Sequence, residues 1–248
     1  MLAMLYSIAA YLGFVGSFLY AVAFIGGYGV PVTLDGAARS APLEALLINV
    51  ALLALFAVQH TVMARRGFKA WWTKIVPPAV ERSTFVLAAS VCLFLLCWCW
   101  QPIESSVWSV TGRAAVTAIW AVFWLGWAVL LLSTFLINHF ELFGLRQTYA
   151  ALAGKAIPEA KFVTPLFYRY VRHPIYVGFL MAFWAAPEMT FGHLLFSAGA
   201  TGYILVGIWF EERDLVAHFG DRYRQYKASV GMLVPKLRPT SGGKAAVR

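Results

Sequence analysis

Three clusters of side chains in this 248-residue chain have types and spacings suited to binding a charged small molecule. The first is Arg172-His173-Pro174-Ile175-Tyr176-Val177-Gly178. Proline suits the first turn of a helix, where its missing N–H costs nothing, and the free amides that follow form an anion site assisted by the helix dipole. The second is the carboxylate pair Glu211-Glu212, one apolar hairpin later. Acids at the end of a helix face an unfavourable dipole and need cations, for which Arg172, Arg213, Arg224 or a ligand ammonium are available. Adjacent helical residues point about 100° apart, so one carboxylate is expected to face a ligand and the other an arginine. The third is Tyr223 and Tyr226, three residues apart on a short helix expected over 222–229 behind Gly220 and Asp221. Their rings share one face, to stack on a flat ligand or to pack at the membrane edge.

Two further ionisable groups lie near the ends of apolar stretches: His60, shortly before Arg65-Arg66, and His139. Ionisable residues at such depths are read by default as functional, with a named partner. The plainer alternative for either one is a packing histidine. Cys92, Cys97 and Cys99 share one apolar helix with no histidine or carboxylate nearby, so no metal site is expected and the thiols serve as small buried side chains. His193, across the hairpin turn, is expected to stand apart from the chemistry.

The elements that must position these groups are membrane helices. The chain is 61% hydrophobic and only 12% charged, whereas soluble domains carry about 25% charged residues. Stretches 1–34, 45–64, 83–100, 114–137 and 189–210 are long enough for the roughly 20 helical residues that cross a hydrocarbon core. Segment 174–187 is apolar but extends only about 21 Å as a helix, so it forms a short hairpin arm. The fold class is therefore an all-α integral membrane protein with about five full spans plus that arm. Eighteen of the 20 Lys and Arg residues fall in loop 65–82, loop 139–173 and the tail from 211. The positive-inside rule then places both termini, both loops and the candidate site on the cytoplasmic side. The net charge of +9 reads as topology and attraction to anionic lipid, and the soluble basic face that nucleic-acid binding needs is absent.

No basic segment precedes the first apolar run, so that helix is expected to be retained. It carries Ala9, Gly13, Ser17 and Ala21, a small-residue stripe for close helix packing. The amphipathic run 138–147 is expected to continue the fourth long helix along the interface until Gly144 or Gly154 breaks it. One domain is expected over 1–238, with its cofactor-binding part at 139–238 and a flexible tail at 239–248.

The RHPIYVG element, the apolar hairpin, the Glu pair and the Tyr223–Tyr226 pair together resemble the isoprenylcysteine carboxyl methyltransferase superfamily of integral-membrane enzymes. Within it, Gln59-His60-Thr61-Val62-Met63-Ala64-Arg65, Glu81-Arg82-Ser83-Thr84, Asn138 to Gln147, and Trp184 to Thr190 are similar to the bacterial methanethiol S-methyltransferases. That resemblance implies S-adenosyl-L-methionine as cofactor, methanethiol as acceptor, dimethyl sulfide as product and a bacterial inner membrane as location. It implies cofactor binding by His173, Tyr176, Gly178 and Glu211 or Glu212, with Arg172, Tyr223 and Arg224 completing the site. The acceptor thiol needs a base, for which His60 and His139 are candidates, and Arg65 or Arg66 could steady the thiolate. Thiolate attack on a sulfonium methyl removes two charges, so a dry pocket that aligns the reactants favours it. The competing readings are a same-fold methyltransferase for a lipid or lipidated-cysteine acceptor, and a non-enzymatic carrier or scaffold. A nicotinamide-dependent sterol reductase would need a dinucleotide fingerprint, and no glycine-rich one is present.

Overall fold

A computed structural model describes residues 1–156 and 162–236. The expected flexible tail at 239–248 lies outside these residues. The described chain forms ten α-helices, one short 3-10 turn and a two-stranded sheet. Five helices are long and apolar enough to cross a membrane: α1 (Leu2–Gly26), α2 (Pro42–Ala64), α4 (Pro78–Cys99), α5 (Arg113–Ile137) and α9 (Phe191–Phe219). The chain is a multi-pass membrane protein. Large apolar side chains such as Leu47, Leu55, Leu131 and Trp209 cover the outside of these helices, where lipid replaces water as the favourable neighbour.

Helices in lipid associate through close packing and polar contacts more than through hydrophobic burial. Both devices appear. The short α8 (Pro174–Trp184) lies against α5 where Gly178 meets Gly126. A methyl on Gly178 would stand 2.6 Å from Gly126 O, and one on Gly126 would stand 2.7 Å from Gly178 O. Between α2 and the end of α4, Asn49 Nδ2 donates to Gln101 O at 2.7 Å and its Oδ1 accepts from Gln101 N at 2.9 Å. Ser83 Oγ donates to Ser7 Oγ at 2.7 Å, tying α4 to α1.

At the end of the bundle away from the basic loops, β1 (Ser106–Ser109) pairs antiparallel with β2 (Glu188–Thr190), a long-range contact that the apolar pattern did not signal. His193 belongs to that end. Its Nδ1 lies 2.7 Å from Asp35 Oδ2 and its Nε2 donates to Phe183 O at 2.9 Å, so it fastens the hairpin turn.

Three local expectations need correction. The fourth long helix, α5, stops at Ile137 because Asn138 takes φ 170 and ψ 84, outside the helical region. The single turn α6 (His139–Leu142) follows, then Gly144 at φ 89 starts α7 (Leu145–Leu152). Gly144 is needed there, since a Cβ would meet Ser83 Oγ at 2.5 Å. Glu211 and Glu212 do not end α9, which runs about two turns further to Phe219. The dipole argument, confined to a last turn, therefore does not apply to them. Finally, α10 spans Asp221–Ser229, so Asp221 opens the helix and Gly220, at φ 59 and ψ −133, is the joint.

Candidate functional site

The site begins where α8 starts. Pro174 opens that helix and His173 precedes it. The chain leading in is held by a strand-like contact: Arg172 N donates to Gly231 O at 2.8 Å and His173 N to Met232 O at 3.2 Å. Gly231 is required by crowding, because a Cβ there would fall 1.9 Å from Val234 O. The segment after α10 thus folds back onto the motif before α8. Sequence reasoning missed this pairing, since nothing in the apolar segment Val230-Gly231-Met232 marks a partner.

Glu212 is the centre of a closed ionic network. Arg172 Nε donates to its Oε1 at 2.7 Å, His173 Nε2 donates to the same oxygen at 3.2 Å, and Lys227 Nζ lies 2.7 Å from Oε2. Arg172 and Glu212 are each only 7% exposed in their side chains, and Arg172 also donates to the carbonyls of Lys227 and Val230. Such a pair is tolerable when its remaining hydrogen-bonding capacity is met, as here. Lys227 was not among the expected partners, although it stands four residues beyond Tyr223 on the same face of α10.

Glu211 is placed differently. Its side chain is 44% exposed, Oε2 accepts from Tyr176 O–H at 3.0 Å, and His173 Nδ1 stands 3.7 Å away. Its Oε1 has no partner among the described residues. Tyr223 is buried at 2% exposure with its O–H unpartnered, and burial first, then Glu212 and Glu211, push that phenol above its ordinary range. Tyr226 turns away: its O–H donates to Tyr168 O, and burial raises its pKa to about 12. In α8 the N–H groups of Ile175 and Tyr176 carry no partner among the described residues, as first-turn amides do not.

The structure therefore brings together Arg172, His173, Tyr176, Glu211, Glu212 and Tyr223. It sets two expected members elsewhere. Gly178 faces α5, where it permits close helix approach. Arg224 is exposed and pairs with Asp221 at 2.7 Å, one turn back on α10.

The four residues expected on the acceptor side separate too. Arg65 lies 4.3 Å over the Phe210 ring with Nη1 3.7 Å from Asp214 Oδ2, and Arg66 Nη2 donates to Asp214 O at 3.4 Å. Both clasp α9 beside Glu211. His60 packs among Phe56, Phe85 and Tyr203, and its buried Nδ1 has no partner among the described residues. His139 is fully engaged. Thr134 Oγ1 donates to Leu131 O, so it must accept from His139 Nδ1–H at 2.8 Å, which leaves Nε2 to accept from Tyr11 O–H at 2.8 Å. Burial lowers the pKa of this ring, in keeping with a neutral imidazole. Of the two histidines, His60 is the one with a free nitrogen.

A polar cluster of this kind, with a free carboxylate oxygen, free helix amides and an orphan phenol, suits a zwitterionic ligand. Among the described residues no cluster of His, Cys, Asp or Glu could hold a metal ion.

The chain is 56% identical over 234 residues to the methanethiol S-methyltransferase of Mycobacterium tuberculosis, covering 94% of this chain and 96% of that protein. It is 53% identical over 237 residues to methanethiol S-methyltransferase 1 of Bradyrhizobium diazoefficiens, covering 96% and 83%. It is 51% identical over 242 residues to the methanethiol S-methyltransferase of Pseudomonas deceptionensis, covering 97% and 92%. No protein-family model and no solved structure matches the chain. Identity of this degree over nearly the whole length of the chain shows the family, and the chain belongs to the methanethiol S-methyltransferase family of membrane methyltransferases.

Proposed function

We propose that this protein transfers a methyl group from S-adenosyl-L-methionine to methanethiol, giving dimethyl sulfide, at the basic, cytoplasmic face of a bacterial inner membrane. The observation that carries the reading is the division of labour in the Glu pair. Glu212 is saturated by Arg172, His173 and Lys227, while Glu211 keeps one carboxylate oxygen free beside Tyr176 and the orphan Tyr223 hydroxyl. Glu211 would take the α-ammonium of the methionine moiety, and the first amides of α8 its carboxylate. When bound, the cofactor supplies an electrophilic methyl on a sulfonium centre. The chain's own tasks are to hold the acceptor sulfur in line and keep water out.

The test is release of S-adenosylhomocysteine by purified protein in detergent, with methanethiol, ethanethiol and bulkier thiols at matched concentration. Each extra CH₂ gains about 0.8 kcal/mol where it fits, but overpacking costs about 1–3 kcal/mol, so turnover should fall along the series. Absence of turnover with every small thiol would overturn the assignment.

A second reading has one observation in its favour. A shallow apolar groove of about 360 Å³ runs between α2 and α9, lined by Ala57, Val58, Thr61, Val62, Gly202, Tyr203 and Val206. It would accommodate a chain-bearing acceptor such as a lipidated cysteine. Faster turnover on a prenylcysteine than on methanethiol would favour that acceptor.

A further inference from the structure

Arg82 stands in the second turn of α4, within the Glu81-Arg82-Ser83-Thr84 stretch, and has been given no role so far. The α6–α7 corner docks on the second turn of α4 through Gly144, and this brings Leu142 O to the Arg82 guanidinium, whose Nε donates to it at 2.7 Å. Its central carbon lies 5.0 Å from the Phe85 ring centroid, and that ring stands 4.8 Å from the ring of His60. Arg82 is thus clamped along one edge. Its two terminal nitrogens have no hydrogen bond and no ion pair among the described residues.

The surroundings of Arg82 are polar and under-satisfied. Glu81 and Glu141 act on it electrostatically, and its own charge is felt at His60 and at Lys69 of α3 (Arg66–Trp72). Glu141 is already engaged by Asn138 and by Arg146 at 2.7 Å. Four buried polar atoms without partners, Gln59 Oε1, His60 Nδ1, Trp72 Nε1 and Gln147 Oε1, belong to α2, α3 and α7, the elements around this turn. Buried polar atoms are normally paired, and His60, which packs with Arg82 on the one Phe85 ring, keeps an orphan nitrogen that a ligand would satisfy. Arg65, five residues after His60, touches Phe210 and Asp214 on either side of Glu211.

We propose that Arg82 and His60 form the acceptor end of the site, with the free edge of the Arg82 guanidinium holding the acceptor sulfur as a thiolate and His60 taking the thiol proton. This rests on the methyltransferase reading above. The thiol S–H bond breaks, its proton passes to the imidazole and then to water, and the sulfur lone pair forms the new S–C bond. The bond from the methyl to the sulfonium sulfur of the donor breaks, and its electron pair stays on that sulfur. A guanidinium suits this task because it remains charged whatever its surroundings and offers donors in a fixed fork.

The experiment uses the full chain in detergent. Arg82→Gln should raise the KM for methanethiol by about ten- to a hundredfold, as loss of a charged hydrogen bond does, and leave S-adenosylhomocysteine affinity within about twofold. His60→Gln should lower kcat/KM for methanethiol by about a hundredfold or more, the usual scale of a lost proton acceptor, and lose much less with the more acidic trifluoroethanethiol. Thiocyanate, an inert small anion, should compete with methanethiol and not with the donor. That last measurement needs no variant, so it stands even where Arg82→Gln does not fold. Weaker S-adenosylhomocysteine binding by Arg82→Gln with an unchanged thiol KM would move Arg82 to the donor and overturn the proposal. So would thiocyanate competition with the donor, or equal losses with both thiols in His60→Gln. A parent protein that methylates methanethiol with Arg82→Gln fully active overturns this inference alone. A parent that methylates no small thiol overturns the proposed function and this inference together.

Discussion

Arg172 Nε stands 2.7 Å from Glu212 Oε1 in a pair whose side chains are each 7% exposed, and this contact joins the entry of α8 to the middle of α9. Removing one partner from a buried pair costs about 3–5 kcal/mol because the other is left charged and unpaired. Glu212→Ala should therefore lower the thermal midpoint sharply and reduce folded yield, whether or not ligand is present. Thermal unfolding of the detergent-solubilised variant checks this, and a midpoint within a degree or two of the parent would contradict the network.

Glu211 should behave in the opposite way. Its carboxylate is half exposed and bonded only to Tyr176, so Glu211→Gln should unfold like the parent. Its affinity for S-adenosylhomocysteine should fall by about ten- to a hundredfold, the worth of a charged hydrogen bond. Tyr176→Phe, which frees Glu211 without removing its charge, should lose less. Isothermal titration separates these outcomes, and equal affinity for parent and Glu211→Gln would assign both acids to structure.

Gly178→Ala tests the packing role of that residue. A Cβ at 2.6 Å from Gly126 O cannot be relieved by a side-chain rotation, so α8 and α5 must part. Overpacking of this kind costs about 1–3 kcal/mol. The expected result is a lower thermal midpoint that saturating S-adenosylhomocysteine does not restore to the parent's difference from the unliganded state.

His139 predicts a pH dependence of stability. Burial lowers its pKa from the ordinary 6.5, so in the window below 6.5 the unfolded chain binds the proton that the folded ring refuses. Stability from this group is complete above about pH 6.5 and declines as pH falls toward the folded value. The thermal midpoint of the parent should drop between pH 7.5 and 5.5 by more than that of His139→Gln. Identical slopes for the two proteins would count against the neutral, doubly bonded ring.

Orientation is testable by labelling. With the basic loops cytoplasmic, a cysteine replacing Ala37 should react with an impermeant thiol reagent applied to intact cells, and one replacing Lys155 should not. Cys92, Cys97 and Cys99 all lie within α4, and the parent protein serves as the control for their labelling. Labelling at position 155 from outside would place the pocket on the wrong face for a cytosolic cofactor.

How much of this was legible in the residues themselves differs from element to element. The five spans and the short arm follow from runs of apolar side chains without charge, because lipid penalises an unpaired charge or an unsatisfied backbone wherever it sits. The start of α8 follows from Pro174, whose ring presets the helical φ. The union of the RHPIYVG element with the Glu pair was likewise visible as a motif. What linear order leaves open is which of two adjacent carboxylates is neutralised. Glu211 and Glu212 differ by one residue and about 100° of helix rotation. Only the return of Val230-Gly231-Met232 along Arg172 and His173, which carries Lys227 with it, encloses Glu212 and leaves Glu211 open. The same holds for His139 and His60, alike in sequence setting and distinguished by hydrogen bonding: Thr134 and Tyr11 meet both nitrogens of His139, whereas aromatic rings surround His60 and its Nδ1 has no partner among the described residues. Hydropathy and helix-start signals are local and survive in the sequence. Partner choice among polar groups depends on distances across the bundle, and these exist only once the helices have packed.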